Sequence, residues 1–509
     1  MDMDCRQAVS SYIAYKVDLY SPRIGNVTIV QLGPLVIIWG FVIACTCTTI
    51  VAFSLAEICS AYPSAGSVYH WAAQVVPEKY APLSSYVCGW SNFLGNAAGD
   101  ASFAYSFATF LNAAIVASDY QPYSLPATVG VSILTIFMWS FLNFFRIDQV
   151  AWINKLAAVC HCGAILIIIF SILLMPQDLN SSERVFALYH NETGFQSPVY
   201  VCLIGLLSAT FAFTGLEASA HMAEETVGSA EAAPRGIIYT VLATGIGGLG
   251  YLFALLFATV DISAALDGDT EVAAVNVFII SCGKSYGSAL AWLVVINLFF
   301  AGISSVAVTG RITYALMRDE AFPYSKFFGQ VHPTLKSPIH SIMFVCIIDS
   351  FLQLLALNSD GVTAFYSITG LCVIGFQVSY CLPVLLKVIF EPADFPATTM
   401  SLGKWSKVFG IISSVWLIAT SVLLFLPTNS PVTPKNMNWL VVVFSFTVIC
   451  STLYWIYQGQ YTFKGPPRFS HNQQILNNHE VQSHNDDKTI TTVNPLISEK
   501  LEPLLTSSL

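Results

Sequence analysis

The sequence predicts an all-α polytopic membrane protein, and three observations carry that prediction. Of 509 residues, 55% are hydrophobic and only 10% are charged, against roughly 25% charged in an ordinary soluble domain. The apolar residues gather into eleven segments long enough to cross a bilayer, each crossing taking about 20 residues. Finally, Lys and Arg are sorted between alternate loops, which a soluble chain has no reason to show.

The segments lie near 34–58, 84–116, 125–145, 150–175, 199–225, 236–260, 286–314, 338–357, 361–388, 406–426 and 436–458. Residues 1–33 hold no apolar run able to span, and no charged n-region leading into an h-region, so no signal peptide is expected there. The second segment sets Asn92, Asn96 and Asp100 among Gly and Ala, small residues that let helices approach closely. The fourth carries Cys160-His161-Cys162. Neighbours one and two apart on a helix point in different directions, so these three cannot converge on one metal ion. Like most of the thirteen cysteines, they read as small buried apolar side chains. Trp71, Trp90, Trp152, Trp405, Trp439 and Trp455 stand near segment ends, where interfacial belts form. Residues 459–509 are polar and read as a disordered tail. The expected division is therefore 1–33, a membrane domain over 34–458, and the tail.

Charge sorting fixes an orientation. With the loop after the first segment cytoplasmic, the cytoplasmic loops and tail hold fifteen Lys and Arg residues, Lys79, Arg235, Arg318 and Lys387 among them. The opposite loops hold only Arg184, Lys284 and Lys435, which is the positive-inside pattern. Sequons at Asn180 and Asn191 both fall in the loop 176–198 on the outer side, making them glycosylation candidates. The net charge of −9 says nothing about a partner, because charge here is distributed by loop.

The fifth segment ends irregularly: Phe211 to Glu225 read FAFTGLEASAHMAEE. Gly215 has no Cβ to favour helix, and Glu217 is costly at bilayer depth without a cavity or partner. Backbone that leaves the helix inside a membrane must be buried in protein or line a watery cavity. Transporters use such breaks as binding sites, one half-helix offering its positive N-terminus to an anion and the other its carbonyls to a cation. A small zwitterion suits that arrangement. No P-loop, zinc-hydrolase motif or nucleophile elbow is present, so ATP-driven transport and hydrolysis lose support. No cofactor, metal or nucleic acid is implied.

Four stretches carry a family likeness: FTGLEASAHMAEET followed by AAPRGI, GPLVIIWGFVIACTCTTIVAFSLAEICSAYPSAGSVYHWAA, SSVAVTGRITYALMRDEAFPYSKFF, and AFYSITGLCVIGFQVSYCLP. They resemble the sixth, second, eighth and tenth helices of amino acid–polyamine–organocation (APC) superfamily permeases. The nearest branch is that of amino acid and choline transporters, with GABA permeases and plant bidirectional amino acid transporters. The likeness runs from about Gly33 to Tyr457. Nothing in 1–33 matches the family's broken, Gly-rich first helix, so about eleven of the usual twelve transmembrane helices are expected.

This resemblance implies a LeuT-like fold of two inverted five-helix repeats and alternating-access transport of amino acids or related amines, commonly proton-coupled. It implies that Ala212, Phe213, Thr214 and Gly215 surround the substrate with backbone groups and a ring, with Ala218 close by. The substrate amine would face carbonyls of the first half-helix; in the family, amides of the first helix hold much of the carboxylate. His161 stands where many relatives outside the branch carry a lysine implicated in proton coupling. Histidine ordinarily changes charge near about pH 6.5, which suits coupling; a histidine bonded to a neighbouring helix is the alternative.

Asp100 is a second coupling candidate, since intramembrane acids are functional by default, although Asn92 and Asn96 are near enough to satisfy it. Glu217 is either a gating or coupling carboxylate or an acid favoured at a half-helix N-terminus by about 0.3–1 kcal/mol. His221 is expected near the cytoplasmic gate, Glu57 tied to a nearby loop, and Asp349 paired structurally on a peripheral helix. The reading is a secondary active transporter for amino acids or small amines of GABA or choline type, with protons and the lipid bilayer as further partners. The alternative is a non-transporting paralogue or substrate sensor. The location is the plasma membrane or a vacuolar or lysosomal membrane.

Overall fold

The computed structural model describes residues 24–467, apart from 146, 190, 192, 226–227, 359–360, 393–394, 397, 429 and 434–436; for 24–32, 147–155, 224–225, 358 and 361–364 only the backbone is described. Eleven helices account for the expected spans: α1 (Ile24–Ala61), α2 (Ala81–Ala117), α3 (Leu125–Leu142), α4 (Ile147–Leu174), α5 (Pro198–Thr210), α6 (Ser229–Ala258), α7 (Lys284–Arg318), α8 (Ile339–Leu354), α9 (Gly361–Phe390), α10 (Ser406–Leu424) and α11 (Leu440–Tyr454). The described residues form no strand. The expectation about a first family helix falls mainly on residues outside those described.

Ten of these regions are long and apolar enough to cross a membrane by composition alone. The exception is α2, which spans 37 residues and carries the polar set Asn92, Asn96 and Asp100. Its composition follows from its place: α2 packs against α9, α7, α3 and α8, and a helix enclosed by protein needs no lipid-compatible surface. The opposite case is α11, in which only Leu440 is buried and most of the other residues are exposed. In α1, Gly33 leaves the helical region at φ 74°, ψ 162°, and Pro34 follows, so the apolar span is Gly33–Ala61.

Two expectations need correction. Trp71 is no interfacial anchor: it is fully buried on the short helix Ser67–Gln74 and donates Nε1–H to the Tyr62 carbonyl at 2.9 Å. Trp405 and Trp439 are exposed, as belt residues should be. Cys162, Cys202 and Cys450 are exposed rather than buried, each lying on a helix face that hydrocarbon can cover, where a thiol behaves as a small apolar group.

Two helix backbones come into direct contact where α2 crosses α9. A Cβ on Gly375 would lie 2.5 Å from the Gly95 nitrogen and 2.7 Å from its Cα; a Cβ on Gly95 would lie 2.9 Å from the Phe376 nitrogen. The backbones therefore touch, which only paired small residues permit. One turn from the crossing on either helix stand Asn92, Ser379 and Tyr380, and the site is assembled there.

Candidate substrate site

The fifth span breaks where the sequence predicts. After α5 comes a single 3₁₀ turn, Phe211–Phe213. Thr214 is then extended (φ −75°, ψ 158°), and Gly215 takes φ +64°, a left-handed conformation that a side chain disfavours. The Thr214 amide and hydroxyl both donate to the Phe211 carbonyl, at 3.2 and 2.9 Å, closing the first half. The second half, Leu216–Glu225, is a 3₁₀ helix of ten residues. Runs of this length are uncommon, since i→i+3 bonding is poorer than α, and they often mark hinges. Tethers hold it: Ser219 Oγ donates to the Ala233 carbonyl at 3.0 Å, and His221 Nδ1–H donates to the Ala65 carbonyl at 2.9 Å.

Ala212, Phe213, Thr214, Gly215 and Ala218 are all buried. The Phe213 ring packs on Phe41 of α1 with centroids 5.2 Å apart. The Ala218 amide donates to the Gly215 carbonyl at 3.3 Å, so the turn at Gly215 is itself hydrogen-bonded.

Glu217 is almost fully buried. Its Oε1 accepts from Asn92 Nδ2 of α2 at 2.8 Å, and its Oε2 accepts from the Tyr380 hydroxyl of α9. His221 Nε2 lies 3.8 Å from Oε1. The second hydrogen of the Asn92 amide goes to Ser379 Oγ at 3.2 Å. The carboxylate thus ties the broken segment to the two helices that cross at Gly95 and Gly375. Donors on both oxygens offset the large desolvation cost of a charge at this depth.

Sequence reasoning paired Asn92 and Asn96 with Asp100, and the structure corrects this. Side chains on a helix lean towards its N-terminus. Asn96 accordingly donates to the Asn92 carbonyl and Oδ1, at 2.9 and 3.2 Å, away from Asp100. Asp100 accepts instead from Ser305 Oγ of α7. His161 is fully buried on α4, which packs against α6 and α7. Neither Glu217 nor Asp100 has His161 as a hydrogen-bond partner. Glu217 is thus bonded to α2 and α9 and Asp100 to α7, while His161 lies on α4. Asn92, Ser379 and Tyr380 were missed; an amide in mid-span was a usable signal for Asn92, and nothing in SYCLP marks Tyr380.

Glu57 takes the loop-tying role expected of it. It pairs with Lys387 Nζ at 2.5 Å, accepts from Ser406 Oγ at 2.6 Å, and accepts the Leu402 amide at 3.0 Å. Glu57, Lys387 and Ser406 border a cavity of about 370 Å³ that Lys404 and Lys407 also line. Of the two sequon asparagines, Asn191 is exposed, whereas Asn180 is half-buried, with its Nδ2 donating to the Leu256 and Thr259 carbonyls.

Comparison with known proteins agrees with this architecture. The sequence profile described as Amino acid permease matches residues 9–447, so the family likeness extends into the segment 1–33, where none was expected. The Amino-acid permease BAT1 of Arabidopsis thaliana is 30% identical over 85% of this chain and 87% of its own length. The Amino-acid permease BAT1 homolog of Oryza sativa subsp. japonica is 28% identical over 90% and 92%. The Choline transporter of Saccharomyces cerevisiae is 26% identical over 85% and 76%. Eleven long helices, a hydrogen-bonded break in the fifth span and a match across most of the chain lead to one assignment: this all-α, multi-pass integral membrane protein belongs to the amino acid permease family of the APC superfamily.

Proposed function

We propose that this permease carries amino acids or related small amines by alternating access, coupled to protons, with the substrate seated against Ala212, Phe213, Thr214, Gly215 and Ala218. The buried break at Thr214–Gly215 supports this most directly. It ends α5 at bilayer depth, where the C-terminal carbonyls of a half-helix attract a cationic nitrogen. Amino acids and choline, the cargoes named for two relatives, share such a nitrogen. The Phe213 ring supplies a flat apolar wall that orients a ligand without fixing its charge.

In this reading Glu217 holds the hinge rather than the substrate, because Asn92 and Tyr380 occupy its oxygens. A proton arriving at Glu217 removes the charge that those bonds depend on and frees the broken segment from α2 and α9. His161 and Asp100 are separate candidates for the coupling proton. The protein works in the plasma membrane or a vacuolar or lysosomal membrane. Uptake of radiolabelled amino acids, GABA and choline into liposomes containing the protein, with and without an imposed pH gradient, tests the reading. Accumulation that follows the gradient is expected. Saturable binding with no uptake would favour a sensor instead.

A further inference from the structure

Two carboxyl groups are buried where α8 packs against α2, and among the described residues neither has a basic partner. Asp100 of α2 and Asp349 of α8 are both fully buried. Asp100 Oδ1 accepts from Ser305, but its Oδ2 has no hydrogen-bond partner, and neither oxygen of Asp349 has one. Helix packing brings them together. Gln353, one turn beyond Asp349, donates Nε2–H to the Ala101 carbonyl at 2.6 Å and accepts from Ser132 Oγ of α3 at 3.0 Å. This clamps α8 to α2 at the residue next to Asp100 and one turn from Asp349. The pairing expected for Asp349 is therefore with another acid, because α8 packs against α2 as well as α3 and α7.

The groups around the pair are neutral. From α7 come the hydroxyls of Ser305 and Thr309. From α8 comes Cys346, with Ser140 of α3 beside it, and from α9 comes Cys372, opposite Gly99. Among the described residues neither acid forms an ion pair, and no third His, Cys, Asp or Glu completes a metal-type group with them. Divalent cations of the calcium or magnesium type want about six or more oxygen ligands. Two adjacent carboxylates with no base at bilayer depth would each suffer a large desolvation cost and repel one another. A shared proton relieves both.

We propose that Asp100 and Asp349 form a proton-binding site, one proton being shared by the two carboxyls and supported by the Ser305 hydroxyl. The site is distinct from the Glu217 network: Asp100 stands eight residues beyond Asn92 on α2, about 12 Å along the axis. Its part in transport rests on the transporter reading above; its occupancy by a proton does not. Movement of α8 against α2 and α7 between inward- and outward-facing states would separate the pair and release the proton.

Infrared difference spectroscopy on the purified full chain, stepping pH, tests this without any substrate. A protonated-carboxyl C=O band is expected at neutral pH in the wild type. It should weaken in Asp100→Asn and in Asp349→Asn, and shift in Ser305→Ala, which keeps both acids but loses the supporting hydroxyl. If Asp349→Asn does not yield monodisperse protein, Asp100→Asn and Ser305→Ala decide the question. Absence of the band, a band unchanged in both acid variants, or its removal by sodium ions at constant pH would overturn the proposal. The last result would make the occupant sodium. A band that behaves as expected in a protein transporting nothing would leave the proton site standing and remove the transporter reading.

Discussion

Gly375→Ala places one methyl group where α9 touches α2. The new Cβ would lie 2.5 Å from the Gly95 nitrogen, 2.7 Å from its Cα and 2.8 Å from the Ser91 carbonyl oxygen. Ordinary contacts need about 3.5 Å, so the helices must part by about 1 Å. All three obstacles are backbone atoms and cannot rotate aside. Alanine gains about 0.5–1 kcal/mol of helix propensity over glycine, but overpacking typically costs about 1–3 kcal/mol, and here the clash wins. Opening the crossing lengthens the 3.2 Å bond between Asn92 and Ser379 and loosens the hold of α2 and α9 on Glu217. Uptake should fall sharply and the detergent-solubilised protein should unfold at a lower temperature. Gly370→Ala, on the same helix, is the control: the nearest atoms to its Cβ belong to the Leu440 side chain, the first at 3.0 Å, which can turn away, so uptake should survive. Wild-type uptake and stability in Gly375→Ala would refute the claim that this crossing positions the site.

Tyr380→Phe removes one of the donors that hold Glu217, and hydrogen bonds to charged groups contribute about 1.5–3 kcal/mol; lower thermal stability and reduced uptake with intact membrane expression are expected, and unchanged uptake would show that the bond does not govern the broken segment. His161→Gln should retain substrate exchange but lose accumulation driven by a pH gradient, since glutamine keeps hydrogen bonding without titrating; an unaltered pH profile would exclude His161 from coupling. For glycosylation, Asn191→Gln should abolish the glycosidase-sensitive mass shift while Asn180→Gln leaves it, because the Asn180 amide already serves two carbonyls; the reverse pattern would contradict that reasoning, and no shift in either would challenge the assigned orientation.

The spans were legible because hydropathy is a local property, and even α2 could be recognised by its length and small residues. The break at Thr214–Gly215 was legible for the same reason: glycine and a carboxylate within an apolar run are local anomalies. Pairings were not. Whether Asn92 serves Asp100 or Glu217 depends on where α2 crosses α9, and that depends on Gly95 meeting Gly375 across 280 positions of sequence. Helix numbering alone made Asp349 peripheral, yet the Gln353 contact with Ala101 turns it inwards. Trp71 has an interfacial position in sequence, but its short helix folds back beneath Tyr62 and buries the ring.

The central claim is that substrate sits at the unwound turn, and equilibrium binding of a radiolabelled substrate to purified Gly215→Leu tests it most directly. Gly215 is at φ +64°, where a branched side chain is strained and would project into the turn. Binding is expected to be lost while the protein remains monodisperse and correctly inserted. Binding with wild-type affinity in this variant would place the substrate elsewhere in the molecule.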